Sequence, residues 1–177
     1  FAAARAERLG SGESSAAIAT ALDQTRLGLV ADGLGAAQRA FELALAYARE
    51  RVQFERPIGS FQSVQHLLVD MLQDLELARA GLYYALWSAE RAEPRELARA
   101  TAMAKAHAGQ VFPRIGADAI QIFGGVGFTW EYDIHLYYKR LLSTEHTLGG
   151  PREQLETLAA QMRAAGLQVE VVIEGEP

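Results

Sequence analysis

Residues Ile120–Arg140 read IQIFGGVGFTWEYDIHLYYKR. Long helical patterns lie on either side, and here Gly124, Gly125 and Gly127 interrupt an apolar run. One glycine just past the last turn suffices to end a helix. Three within four residues do more, because glycine permits positive φ and lets other groups approach the backbone closely. Two readings stand. One is a helix C-cap followed by a tight helix–helix turn. The other is a turn whose bare N–H groups face an anionic ligand. A dinucleotide-binding fingerprint is excluded, because what precedes the glycines is helical in pattern and not a strand opening into a βαβ unit.

Upstream, the periodicity predicts three long helices. The first runs from about Ser15 to Gln53, capped by Ser14 or Ser15, with Ile18, Leu22, Leu29, Leu34, Ala37, Phe41, Leu45 and Ala48 on its apolar face. Arg56-Pro57-Ile58-Gly59 supplies the turn that follows. The second is capped by Ser60 and carries a stripe of Val64, Leu68, Met71, Leu75, Leu82 and Leu86, with Asp70, Asp74, Glu76 and Arg79 mostly off it. It ends by Glu93, since the residue before Pro94 is biased out of the α region. The third starts at Pro94 and reaches about Phe123, with a small-residue face of Ala98, Ala102, Met103, Ala106, Val111, Ile115, Ala119 and Ile122, and Pro113 as an expected kink.

Downstream come a short helix from about Tyr132 to Leu142, an ambiguous stretch from Ser143 to Gly150, and a last helix from about Arg152 to Ala165. The expected fold is all-α, an antiparallel four-helix bundle with short extra helices. Its expected extent is residues 14–165. Residues 1–13 are expected as a linker or remnant of an upstream domain, and 166–177 as an extended or disordered tail. The chain begins with Phe1 and is taken as a piece of something longer.

Composition bounds the function. A hydrophobic fraction of 50% with 22% charged residues is globular, and a formal charge of −5 offers no general attraction to nucleic acid or an anionic membrane. No apolar run reaches spanning length. There is no cysteine, hence no thiol nucleophile, and a cytoplasmic location is expected. The four histidines, His66, His107, His135 and His146, lack metal-ligand spacing, and no nucleophile elbow is present. His66 and Asp70, four residues apart, read as a surface pair.

The stretch QIFGGVGFTWEYDIHLYYKR resembles the C-terminal segment of the acyl-CoA dehydrogenase family, flavoenzymes that desaturate acyl-CoA thioesters. A second block, Ala46–Gln62 (AYARERVQFERPIGSFQ), is similar to that family's arginine-x-x-phenylalanine stretch followed by a phenylalanine–glutamine pair. The resemblance covers about residues 13–160. It implies an FAD site shared between subunits and an oligomeric assembly, with acyl-CoA as the substrate of the complete enzyme. From the residues alone, Arg51 complements a helix dipole, Phe54 packs and Gln62 is solvated. The resemblance implies instead that Arg51, Phe54 and Gln62 contact FAD held mainly by a neighbouring subunit, and that Gln121, Gly124 and Gly125 meet its adenosine diphosphate end. Glu55 departs from the pattern by standing where a glycine is usual.

The resemblance also implies a glutamate base that removes the substrate α-proton while the flavin takes the β-hydride. Most members place it immediately before a glycine downstream of the glycine turn, where this chain has Leu148 and Gly149. Others place it on the first long helix just before an arginine, where this chain has Thr25 and Arg26, which the resemblance sets near the substrate. Neither position holds a carboxylate. Glu145 is the nearest substitute, and Glu131 is expected as a helix cap or hydrogen-bond partner. Members built as heteromers, in actinobacterial sterol breakdown, pair a base-bearing subunit with a sister lacking it, and this chain resembles that branch. Two functions are carried forward. One is a cofactor-supporting subunit of a heteromeric dehydrogenase. The other is a helical oligomerisation module without cofactor.

Overall fold

The structure, a computed structural model, describes residues 14–91 and 93–166. The expectations for residues 1–13 and for the tail after Gly166 lie outside the described residues. Five helices account for nearly all the rest: α1 (Ser15–Glu50), α2 (Gln62–Arg91), α3 (Pro94–Phe123), α4 (Ile134–His146) and α5 (Pro151–Ala164). A two-stranded hairpin, β1 (Val52–Gln53) and β2 (Arg56–Pro57), separates α1 from α2. The all-α expectation holds: α1 to α4 form the bundle, and α5 lies on α3.

α3 is the axis of the fold and packs against every other helix. Its composition explains why. Ala100, Ala104, Ala108, Val111, Ile115 and Ala119 are buried on it, and small side chains let neighbouring backbones come close on several sides. Two glycines mark the tightest approaches. A Cβ at Gly116 would lie 2.7 Å from the Tyr138 ring and 3.2 Å from its Cα, on α4. One at Gly109 would lie 2.8 Å from Pro151, at the start of α5. From α1, Val30, Ala37 and Ala44 complete the core, and α2 adds Met71, Leu75 and Leu82.

The bounds of α3 agree with the sequence reading, Pro94 taking its first position, and the helix continues through Pro113. Other expectations are corrected. α1 stops at Glu50 and not Gln53, because Arg51 turns to extended backbone to enter the hairpin. Ser14 occupies the N-cap of α1 but makes no side-chain cap bond. Ser60 does not cap α2 either; its hydroxyl donates to the Pro57 carbonyl at 2.7 Å, inside a single 3-10 turn. α4 begins two residues later and ends four later than expected, absorbing part of the ambiguous stretch. Ile18, Leu22, Leu86 and Met103, counted on apolar faces, are exposed. Asp74, counted as an outer charge, is buried, and Arg114 of α3 donates to its carboxylate at 2.9 Å. His66 and Asp70 are both exposed and form no ion pair with each other. No helix among the described residues is long and apolar enough to cross a membrane.

Two glycine substitutions test the packing. Gly116→Ala forces a methyl against the α4 backbone and lowers the unfolding free energy by about 1–3 kcal/mol. Gly28→Ala, in α1 with nothing within 4 Å of the new methyl, raises it by up to about 1 kcal/mol. Chemical denaturation measures both.

Candidate functional site

Two clusters hold the residues singled out from the sequence. The first sits where α1 ends, α2 begins and α3 ends. Arg51 leaves α1 with its N–H bonded to the Tyr47 carbonyl at 2.8 Å, and its own carbonyl accepts from Ile58 N–H at 2.8 Å. Between these bonds the hairpin pairs Val52 with Pro57 and Gln53 with Arg56. Its two-residue loop is Phe54-Glu55, at φ 53° and φ 64°. Positive φ at both central positions suits the right-handed twist of a two-residue hairpin, but such loops ordinarily use Asn-Gly or Asp-Gly. A phenylalanine and a glutamate here carry backbone strain, so the turn was not legible as a turn.

The hairpin is exposed along its whole length. Phe54 is 87% exposed and makes a T-shaped contact with Phe61, with ring centroids 6.2 Å apart. The Arg56 guanidinium lies 4.0 Å over the Phe61 ring. Arg51 and Gln62 are exposed, and neither side chain has a hydrogen-bond or ion-pair partner among the described residues.

The glycine stretch lies at the same end. α3 ends at Phe123, and residues 124–128 form a 3-10 helix. Gly124 takes φ 67°, and its N–H points back to the carbonyls of Ile120 and Gln121. That amide serves the helix cap, so the capping reading holds at Gly124 and the bare-amide reading loses this donor. Gly127 is fixed by packing, since a Cβ there would lie 3.0 Å from that of Phe123 and 3.2 Å from the Ile120 carbonyl. Gly124 and Gly125 are different: both are exposed, with nothing within 4 Å of an added Cβ. Their bare backbone is open to an incoming group, and the exposed Gln121 flanks it.

An aromatic cluster joins the two turns. Tyr47, one turn before Arg51, stacks on Phe123 at 4.3 Å, and Tyr132 meets both rings edge-on at 5.6 and 5.0 Å. The cation, the aromatic tip and the open glycines therefore share one end of the bundle. Those groups fit a dinucleotide such as FAD: an unpaired guanidinium for pyrophosphate, a free ring face, and backbone that admits close approach. Glu55 does not add to that fit. Glu131 is exposed and caps nothing; Asp133 takes the N-cap of α4.

The second cluster joins α1 to the loop between α4 and α5. Arg26 donates through Nε to the Leu148 carbonyl at 3.0 Å, and through Nη1 to Asp23 at 2.7 Å. Arg26, the residue after Thr25, is thus bonded to Leu148 across 122 residues. Neither Thr25 nor Leu148 can act as a base. The Thr25 hydroxyl donates to the Ala21 carbonyl at 2.7 Å, within its own helix. Leu148 is half-buried and held at φ 59°, followed by Gly149 at φ 104°. The Glu145 carboxylate faces His146, 3.7 Å away.

One residue here escaped the sequence reading. Lys105 of α3 is fully buried, and its ammonium donates to the carbonyls of Thr144 at 2.8 Å and Glu145 at 2.9 Å. Burial, and then the nearby Arg26 cation, hold its pKa below the usual lysine range, partly offset by Glu145 and Glu153. The available signal was its place within an alanine-rich helical face, one turn from Thr101 and three residues from Ala102.

The arrangement is that of a helical domain built on one central helix, and comparison with known proteins places it in a family. Residues 15–163 match the family described as "Acyl-CoA dehydrogenase, C-terminal domain". The chain belongs to the acyl-CoA dehydrogenase family, a family of FAD-binding flavoproteins and oxidoreductases. It is 39% identical over 140 residues to the acyl-CoA dehydrogenase IpdE2 of Mycolicibacterium smegmatis, covering 79% of this chain and 43% of that protein. Among solved structures, a variant of the Tcur3481-Tcur3483 steroid ACAD aligns with a TM-score of 0.82 at 32% identity, covering 86% of this chain and 42% of that one. The FAD complex of PigA aligns at 0.81 and 29%, covering 90% and 41%. The chain therefore spans about two-fifths of the length of these relatives.

The strained hairpin loop yields a prediction. Glu55→Gly places the residue best suited to φ 64° at that position and raises the unfolding free energy by about 1 kcal/mol. A rise in the denaturant midpoint without a change of slope measures it.

Proposed function

We propose that this chain is the helical part of an acyl-CoA dehydrogenase-like flavoprotein that supports FAD binding and assembly for α,β-desaturation of an acyl-CoA thioester, and that it lacks a catalytic base of its own. The observation that carries the first half is the shared end of the bundle. Arg51, Phe54 and Gln62 lie there with Gln121, Gly124 and Gly125, tied together by the Tyr47–Phe123 stack. A fully exposed hairpin suits a cofactor held mainly by another subunit. Arg51 would pair with pyrophosphate oxygens, Phe54 and Gln62 would pack and bond beside it, and Gly124–Gly125 would admit the adenosine diphosphate end. Bound FAD supplies the hydride acceptor.

The second half rests on Arg26 and Leu148. Leucine stands at one position where relatives of this kind carry a base, and threonine at the other, next to the Arg26 that bonds Leu148. A leucine side chain accepts no proton, and a threonine hydroxyl is far too weak a base. What these residues offer is shape: a half-buried apolar wall at Leu148 and a fixed cation at Arg26. A heteromer in which a partner subunit supplies the base accounts for that combination, and the Tcur3481-Tcur3483 steroid ACAD among the similar structures supports the analogy. The assembly role has its own support. Val69 and Leu72, and further along α2 Tyr83 and Trp87, are large, apolar and exposed in two pairs, an unusual surface for an isolated domain. That face alone also suits the second reading, a helical oligomerisation module without cofactor.

Two substitutions separate the readings. In a complex that retains flavin, Arg51→Ala weakens retention by roughly tenfold or more, the loss of a charge-assisted bond. Under the oligomerisation reading it changes nothing, and only a packing change such as Leu68→Asp matters, through lost assembly. In the same complex, Leu148→Glu creates dehydrogenase activity at this subunit's site. Bound flavin with no gain in activity contradicts the assignment of that position.

A further inference from the structure

α4 ends in a way its own sequence does not explain. The last four carbonyls of a helix have no partner within it. Here Ser143 O accepts from Thr147 N–H at 3.3 Å, and His146 O accepts from Gly149 N–H at 3.3 Å. The two carbonyls between them, Thr144 O and Glu145 O, are taken by Lys105, 39 and 40 residues away on α3. Three residues on, Leu148 O is held by Arg26 of α1, with Gln154 of α5 at 3.5 Å.

We propose that Lys105 is a positioning residue for the Thr144–Gly149 segment: its buried ammonium clamps the end of α4 and so fixes the direction in which position 148 presents its side chain. A helix end at a surface needs no such device, because water satisfies its carbonyls. Burying an ammonium completely is unfavourable unless every partner is in place, and Lys105 is wholly buried. The depressed pKa fits that environment. The clamp acts only on main-chain oxygens, so it is indifferent to which side chain stands at 148. Lys105 sets the height of the segment along α3, and Arg26 sets its distance from α1. Between them Leu148 is held in a left-handed conformation that a leucine does not choose unaided. The consequence for an acyl site rests on the proposed function. The clamp itself is read without flavin or substrate, so the two ideas fail separately.

The test is amide hydrogen exchange on the full chain, followed by NMR, in three forms: unaltered, Lys105→Met, and Lys105→Cys aminoethylated with bromoethylamine in denaturant and refolded. The last restores an ammonium at nearly the same reach, and the absence of any other cysteine confines the reaction to that site. Lys105→Met is expected to speed exchange at the Thr147 and Gly149 amides by about tenfold or more, with less than about a twofold change at core amides such as Val30 and Leu75. The aminoethylated form returns both loop amides to the original rate. Unchanged loop amides, an equal rise throughout the bundle, or no recovery with the restored ammonium overturns the proposal. Should Lys105→Met not fold, the unaltered protein decides: a clamped Lys105 shows ammonium protons in slow exchange at neutral pH, and a freely exchanging ammonium refutes the clamp.

Discussion

Everything in this fold leans on how closely other helices can approach α3. Alanine and glycine make up much of its buried surface, and at Gly109 and Gly116 the neighbours sit where a single methyl would collide. A helix surrounded on all sides normally buries large side chains and keeps its neighbours about 8–10 Å away. Small residues let large ones from the partners fill the space, so Tyr138, Leu141 and Pro151 pack down onto the α3 backbone. This geometry brings α4 and α5 onto the same helix that ends in the glycine turn. It also sets Lys105 beneath the end of α4.

Two consequences follow for the site. At one end, the tight aromatic joint of Tyr47, Phe123 and Tyr132 locks the α1 exit to the α3 exit, so the exposed hairpin and the open glycines are held in a constant relation. About seven turns earlier on α1, cations from α1 and α3 converge on backbone oxygens at the end of α4 and just beyond it. The first cluster offers charge and open backbone to a ligand. The second uses its charges internally, which leaves an apolar residue on a rigid support.

The long helices were legible because their signals are local. Pro94 and the Phe123-Gly124 boundary mark α3 from start to finish, and the period of apolar residues marks α2. The hairpin was invisible because Phe54-Glu55 has no turn chemistry; what holds the turn is pairing of the strands and the Ile58–Arg51 bond. α4 was drawn too short for a related reason. Its C-terminal carbonyls are satisfied from another helix, and no stretch of its own sequence records that. Lys105 carries no sequence signal of its own, and only the position of α4 shows that it is buried. The candidate residues were found through resemblance to a family. Composition and spacing alone support ordinary roles for Arg51, Phe54 and Gln62.

The central claim is that this chain supports a flavin site without supplying the base. The most direct measurement is the visible absorption spectrum of the chain purified alone and copurified with the product of a neighbouring gene. The account predicts a flavin band with the copurified pair and none with the chain by itself. A well-folded helical protein showing no flavin band in either preparation contradicts it.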